Sequence, residues 1–196
     1  MSFTTATCVV GLDRAKKAGI ELPEKLVKRA IDHLERSHLP DGAFLYGEYL
    51  KYRPRHGVNQ GKGSACRTPA CQYALMLFGE EVSQADRVEG LEALLFKHAR
   101  FQKMAVRRPI PHESWYSVSG YFYLYGHAYA AYVIEGLPKE QQARFWPALV
   151  EAANYCREPD GSYWDYPLYS YHKPYGTAFA LIALSGAMKA SAIPER

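Results

Sequence analysis

Tyr175-Gly176-Thr177-Ala178-Phe179-Ala180-Leu181-Ile182-Ala183-Leu184-Ser185-Gly186 is the stretch on which the fold turns. It opens with a small-residue pair, passes through Ala into an apolar run, and closes on Gly. Three earlier stretches share that order: Thr4-Thr5-Ala6 running to Gly19, Thr68-Pro69-Ala70 running to Gly79, and Gly126-His127-Ala128 running to Gly136. Ala6, Ala70, Ala128 and Ala178 mark a common register, with separations of 64, 58 and 50 residues. Small residues let a helix pack closely on its neighbours, and a glycine past the last turn supplies a left-handed cap.

Between these apolar helices lie others with more polar faces. Leu22 to Ser37 has Pro23 near its first turn, with Leu26, Ala30 and Leu34 recurring every four residues. Ser83 is placed to cap the next, with Asp86 three residues on and Val88, Leu91 and Leu95 as its stripe. Pro138 opens the third, and Pro147 inside it predicts a kink or a later start. Seven helices result, or three and a half hairpins. Tyr121 to Tyr125 would also suit a strand, but the repeat context predicts helix. The connectors Pro40–Gly63, Ala105–Ser114 and Pro159–Pro174 each follow a polar-faced helix, so all three are expected at one end of the array.

Composition narrows the classes. The chain has 196 residues, 48% of them hydrophobic and 22% charged, enough for one domain with a real core. The net charge of +4 is modest and carries no expectation of a nucleic-acid partner. Cys8, Cys66, Cys71 and Cys156 form no CxxC pair and read as reduced, mostly buried thiols, which suits a reducing, cytoplasmic setting. No run is long enough for a transmembrane helix, and Met1 to Lys17 lacks the basic region of a signal peptide. The 16 tyrosines fit either a pocket wall or an aromatic core.

Two connectors carry related phrases: Leu34-Glu35-Arg36-Ser37-His38-Leu39-Pro40-Asp41-Gly42-Ala43-Phe44 and Tyr155-Cys156-Arg157-Glu158-Pro159-Asp160-Gly161-Ser162-Tyr163-Trp164. Asp-Gly followed by aromatic residues and a Thr-Ala-apolar helix resembles the repeat of squalene and terpene cyclases and of protein-prenyltransferase β-subunits. The middle repeat departs from it, having Phe101-Gln102-Lys103 and a divergent loop. The resemblance implies an all-α fold, an α/α toroid-like array over residues 1–196 with apolar helices inside. Three and a half hairpins make a partial ring, which a longer chain or a second copy would complete. The family's chemistry is not matched. The DxDD acid motif of terpene cyclases is absent, and Asp160 and Asp165 read as loop residues. The position of the prenyltransferase zinc-ligand His falls on Gly176, so no metal or other cofactor is expected. The Cys-Gly-Glu-Gln phrase of thioester domains is also missing.

What remains is a basic rim over an aromatic wall. Arg55, Arg67, Arg108, His112 and His172 lie in or beside the connectors, where helix N-termini add partial positive charge. Tyr121, Tyr125, Tyr129 and Tyr132 share one helix face, with His127 in the same helix and Trp164 on a connector. Such a mouth suits a ligand with an anionic head and an apolar or ring-shaped body. Solvated loop arginines and a tyrosine stripe buried as core are the structural alternatives. Three functions follow: a ligand- or partner-binding repeat module, which is the preferred one; an isoprenoid-acting cyclase- or prenyltransferase-like enzyme; and a lyase-like toroid acting on anionic carbohydrate through Tyr116, His112, Arg108 and His127. The apolar faces of an unfinished array also predict self-association or a protein partner.

Overall fold

A computed structural model describes residues 1–109 and 117–191. Every named element among the described residues is helical, with no named strand. The helices are α1 (Ser2–Lys17), α2 (Glu24–Ser37), the short α3 (Gly61–Ser64), α4 (Thr68–Leu77), α5 (Gln84–Glu92), α6 (Ala99–Ala105), α7 (Tyr123–Glu135), α8 (Lys139–Asn154) and α9 (His172–Ser191). The stretch open to a strand reading is helical, a 3-10 turn at Gly120–Phe122 leading into α7.

The apolar helices contact one another in chain order: α1 on α4, α4 on α7, and α7 on α9. The polar-faced helices pack on them: α2 on α1, α5 on α4, and α8 on both α7 and α9. α7 sits at the centre, buried on almost every side from Tyr123 to Ile134. α2 is amphipathic, with Ala30 and Leu34 of the expected stripe on its inner side, but Leu26 is exposed and Val27 and Ile31 pack inward in its place. α5 starts on the expected cap: Ser83 Oγ accepts from Asp86 N–H at 3.0 Å and donates to the Asp86 carboxylate at 2.6 Å. It then widens into a π turn at Ala93–Lys97 before α6. α6 absorbs Phe101-Gln102-Lys103, because buried Gln102 donates to Lys62 O (2.6 Å) and accepts from the Cys66 thiol (3.2 Å). α8 runs unbroken through Pro147 from Lys139, so the proline marks no later start.

The connectors touch one another. Gly57 of the first packs on Ser117, just past the second, and Arg107 N–H of the second donates to Asp165 O of the third (2.5 Å). They also hold the starts of the apolar helices. Ser2 Oγ donates to Leu45 O (2.6 Å), Arg67 reaches Phe44 O, Leu124 N–H donates to the Asp165 carboxylate (2.7 Å), and Tyr163 N–H donates to Thr177 Oγ1 (2.9 Å).

The two Asp-Gly phrases fold alike. In the first, Leu39 N–H donates to Ala43 O (2.8 Å), Gly42 N–H to Leu39 O (3.0 Å) and Leu45 N–H to Ser37 O (2.7 Å). In the second, Glu158 N–H donates to Ser162 O (2.8 Å), Gly161 N–H to Glu158 O (3.0 Å) and Trp164 N–H to Cys156 O (3.2 Å). Asp41 and Asp160 each accept from the amide two residues on, and Gly42 and Gly161 take φ of 77° and 84°.

The closing glycines divide. Gly19 and Gly79 are left-handed caps at φ 85° and 80°. Gly136 stays right-handed at φ −81°, and Gly186 lies inside α9, pressed against the Trp146 ring of α8. Gly176 is a second close approach: a methyl there would lie 2.5 Å from Tyr163 O and 2.7 Å from Trp164 Cα, both immobile backbone atoms. Gly176→Ala is therefore expected to destabilise by about 2 kcal/mol despite its better helix propensity. Urea denaturation checks this; an unchanged or raised midpoint would show that the α9 contact is loose.

Candidate functional site

Three apolar helices surround a groove of about 270 Å³. Thr7, Val10, Gly11 and Arg14 of α1 form one wall, Phe179 and Ile182 of α9 another, and Ala128, Tyr129 and Tyr132 of α7 the base. Tyr73 of α4 stacks on Tyr132, with ring centroids 4.6 Å apart and planes 13° from parallel. The groove is framed by two cross-links of the same offset. Tyr125 Oη meets Thr7 Oγ1 at 3.1 Å, and Arg14 Nη2 donates to Tyr132 Oη at 3.5 Å. Each partner lies seven residues after its counterpart, so α1 and α7 run parallel in register. Tyr125 Oη also donates to Phe3 O at 3.1 Å. Burial holds the Tyr125 phenol well above its ordinary range and raises Tyr73 and Tyr129 as well, so the wall is neutral.

The expected site residues separate. Tyr129 lines the groove and Tyr125 closes one end. Tyr121 is half-buried nearer the connectors, edge-on to Tyr166 at 5.3 Å. His127 points away from them: it is buried, its Nδ1 lies 2.7 Å from Tyr123 O, and burial lowers its pKa to about 4. Arg67 is no rim residue. It is buried, and its guanidinium is spent on the carbonyls of Phe44, Val58 and Gly63. Arg55 is exposed on the first connector. Trp164 and His172 meet edge-on at 5.1 Å, with the Arg107 guanidinium 4.8 Å from the Trp164 ring centroid. Arg107 pairs with Glu158, and Lys173 with Asp160. His112 and Tyr116 lie outside the described residues.

The cation beside the tyrosines is Arg14, which sequence reasoning passed over. It stands near the C-terminal end of α1, away from the connectors that hold Ser2. Its neighbour Asp13 pairs with Lys17 (2.8 Å), and among the described residues Arg14 makes no ion pair. The legible signal was the seven-residue spacing of Thr7 and Arg14, which matches Tyr125 and Tyr132.

Two other clefts lack this convergence. Arg108 borders a depression of about 450 Å³ with Arg100, Lys103 and Tyr155, where Lys103 is already paired with Glu151. A cleft of about 510 Å³ beside the first connector holds Asp41, Asp86, Glu89 and His98. There Asp86 serves the Ser83 cap and Glu89 meets Lys97 at 3.5 Å. Burial raises the pKa of Cys66, Cys71 and Cys156, so none is a poised thiolate. Among the described residues no group of three His, Cys, Asp or Glu side chains is gathered to hold a metal. No helix among them is long and apolar enough to cross a membrane. No family model matches the chain, and neither a curated protein nor a solved structure matches it.

Proposed function

We propose that this chain is a ligand-binding repeat module, an α/α toroid-like array of hairpins whose inner-helix face holds a small ligand in the α1–α7–α9 groove. The order of contacts supports the array: successive apolar helices touch, and the first and third connectors hold the starts of α4, α7 and α9. The single observation that carries the binding reading is the groove itself. It is a concavity floored by tyrosines, with Arg14 at its edge making no ion pair among the described residues.

An isoprenoid-processing enzyme is less well supported. Among the described residues no carboxylic acid or imidazole lines the groove, and its phenols are weak acids for protonating an alkene. Of the residues named for a uronate lyase, His127 is buried with its ring on Tyr123 O and Arg108 borders another depression, so the described pair does not support that reading. The exposed Leu181 and Met188 of α9 leave room for a protein partner beside the ligand.

The test is native mass spectrometry of the purified protein, with thermal-shift screening of isoprenoid diphosphates, short anionic amphiphiles and uronate oligomers. At least one should raise the melting temperature of the wild type. Tyr129→Ala should weaken that binding about tenfold, or about 1.4 kcal/mol. An equal response from Tyr129→Ala, or no bound or stabilising compound in either assay, would overturn the reading.

A further inference from the structure

We infer that the groove selects a short amphiphilic anion, with an apolar body no longer than about 10 Å and a carboxylate or phosphate at Arg14. The inference rests on the binding-module reading and adds the ligand's length, polarity and orientation.

Length follows from the two cross-links. Thr7–Tyr125 and Arg14–Tyr132 are seven residues apart along parallel helices, about 10.5 Å at 1.5 Å per residue. The end toward the connectors is shut. Tyr125 is tied by its hydroxyl to α1 at both Thr7 and Phe3 O, and the Phe179 ring of α9 stands edge-on to it at 5.8 Å. A chain entering beside Arg14 therefore meets a tyrosine wall after about eight carbons at ordinary single-bond lengths. The volume of about 270 Å³ agrees with a body of that size.

Orientation follows from charge. The lining between the cross-links is Val10, Gly11, Ala128, Tyr129, Phe179 and Ile182, with no ionised side chain. Among the described residues Arg14 is the only charged one lining the groove, at its open end, and it makes no ion pair there. An anionic head there gains the guanidinium and the Tyr132 hydroxyl, while the body covers apolar surface. A sugar oligomer would leave its hydroxyls unpaired along that lining.

The test is titration calorimetry of the whole chain with a series of n-alkanoates, with octyl phosphate and octanol as companions. Affinity should rise roughly fourfold per added methylene up to about octanoate and then stop rising. At least one of octanoate and octyl phosphate should bind tenfold more tightly than octanol, and Arg14→Gln should erase that preference. Gly11→Leu fills the groove where an added Cβ meets nothing within 4 Å, so it should keep the fold yet weaken octanoate at least tenfold. Affinity that keeps climbing through dodecanoate to hexadecanoate overturns the length limit. Octanoate binding untouched by Gly11→Leu overturns the site. If no alkanoate or octyl phosphate binds while another compound shows Tyr129-dependent binding, this inference fails and the module reading stands.

Discussion

Arg67→Met is expected to lower the unfolding free energy by about 4 kcal/mol. The Arg67 side chain is fully buried, and four donor contacts fix it. Nε and Nη2 reach Phe44 O at 3.0 and 2.6 Å, Nη2 reaches Val58 O at 2.5 Å, and Nη1 reaches Gly63 O at 2.7 Å. Burial depresses its pKa to about 10, still well above neutral pH, so the group stays cationic. Methionine has similar bulk and no donor. It leaves three inward carbonyls unpaired at about 1–3 kcal/mol each, offset in part by its own apolar burial. Arg67→Lys supplies a point charge rather than a planar fork, so it should recover part of the loss and not all of it. Chemical denaturation measures both. Amide exchange should show residues 44–63 opening first, because the guanidinium is what ties that connector to α4. A loss below about 1 kcal/mol for Arg67→Met would mean that the carbonyls find other partners.

The same residue shows where sequence reading stops. Helix content, the Ser83 cap and the paired Asp-Gly turns were legible because each depends on residues within a few positions of one another. The tyrosine face of α7 was legible for the same reason, since periodicity along one helix sets it. An arginine followed by Thr-Pro at a helix start reads as a rim cation. Only the chain's return through Phe44 and Val58 builds the cage of carbonyls that draws it inward. Gly186 carries the mirror lesson. It sits where a cap belongs, yet α9 continues to Ser191, and the missing side chain leaves space for the Trp146 ring of α8. Arg14 was passed over because its seven-residue spacing from Thr7 gains meaning only once α7 is known to face α1.

Asp165 carries the second large effect, and its sign is set by burial. Its carboxylate is 1% exposed; one oxygen accepts from Leu124 N–H at the start of α7 (2.7 Å), and the other has no partner among the described residues. Burial is the dominant influence and raises its pKa to about 7, against the opposing pull of the Leu124 and Tyr166 amides. The nearby titratable groups, Cys66, Cys156 and Tyr175, are pushed up as well and stay neutral, so they do not reverse the effect. Below about pH 4 the carboxyl is protonated in both folded and unfolded chains, and its contribution to stability is fully present. Between about pH 4 and 7 the unfolded chain gives up the proton while the folded one keeps it, so stability falls as pH rises; above 7 the curve flattens. Asp160 acts in the opposite sense and lower down, because Lys173 and Ser162 hold its pKa below the usual carboxylate range and its contribution fades only in acid. Asp165→Asn keeps an acceptor for Leu124 and removes the titration. Relative to wild type it should gain about 4 kcal/mol between pH 4 and pH 8. Urea unfolding of both proteins at the two pH values measures that difference directly. Parallel pH profiles for the two proteins would show that Asp165 is ionised in the native state throughout, and that the start of α7 is more open to water than its packing implies.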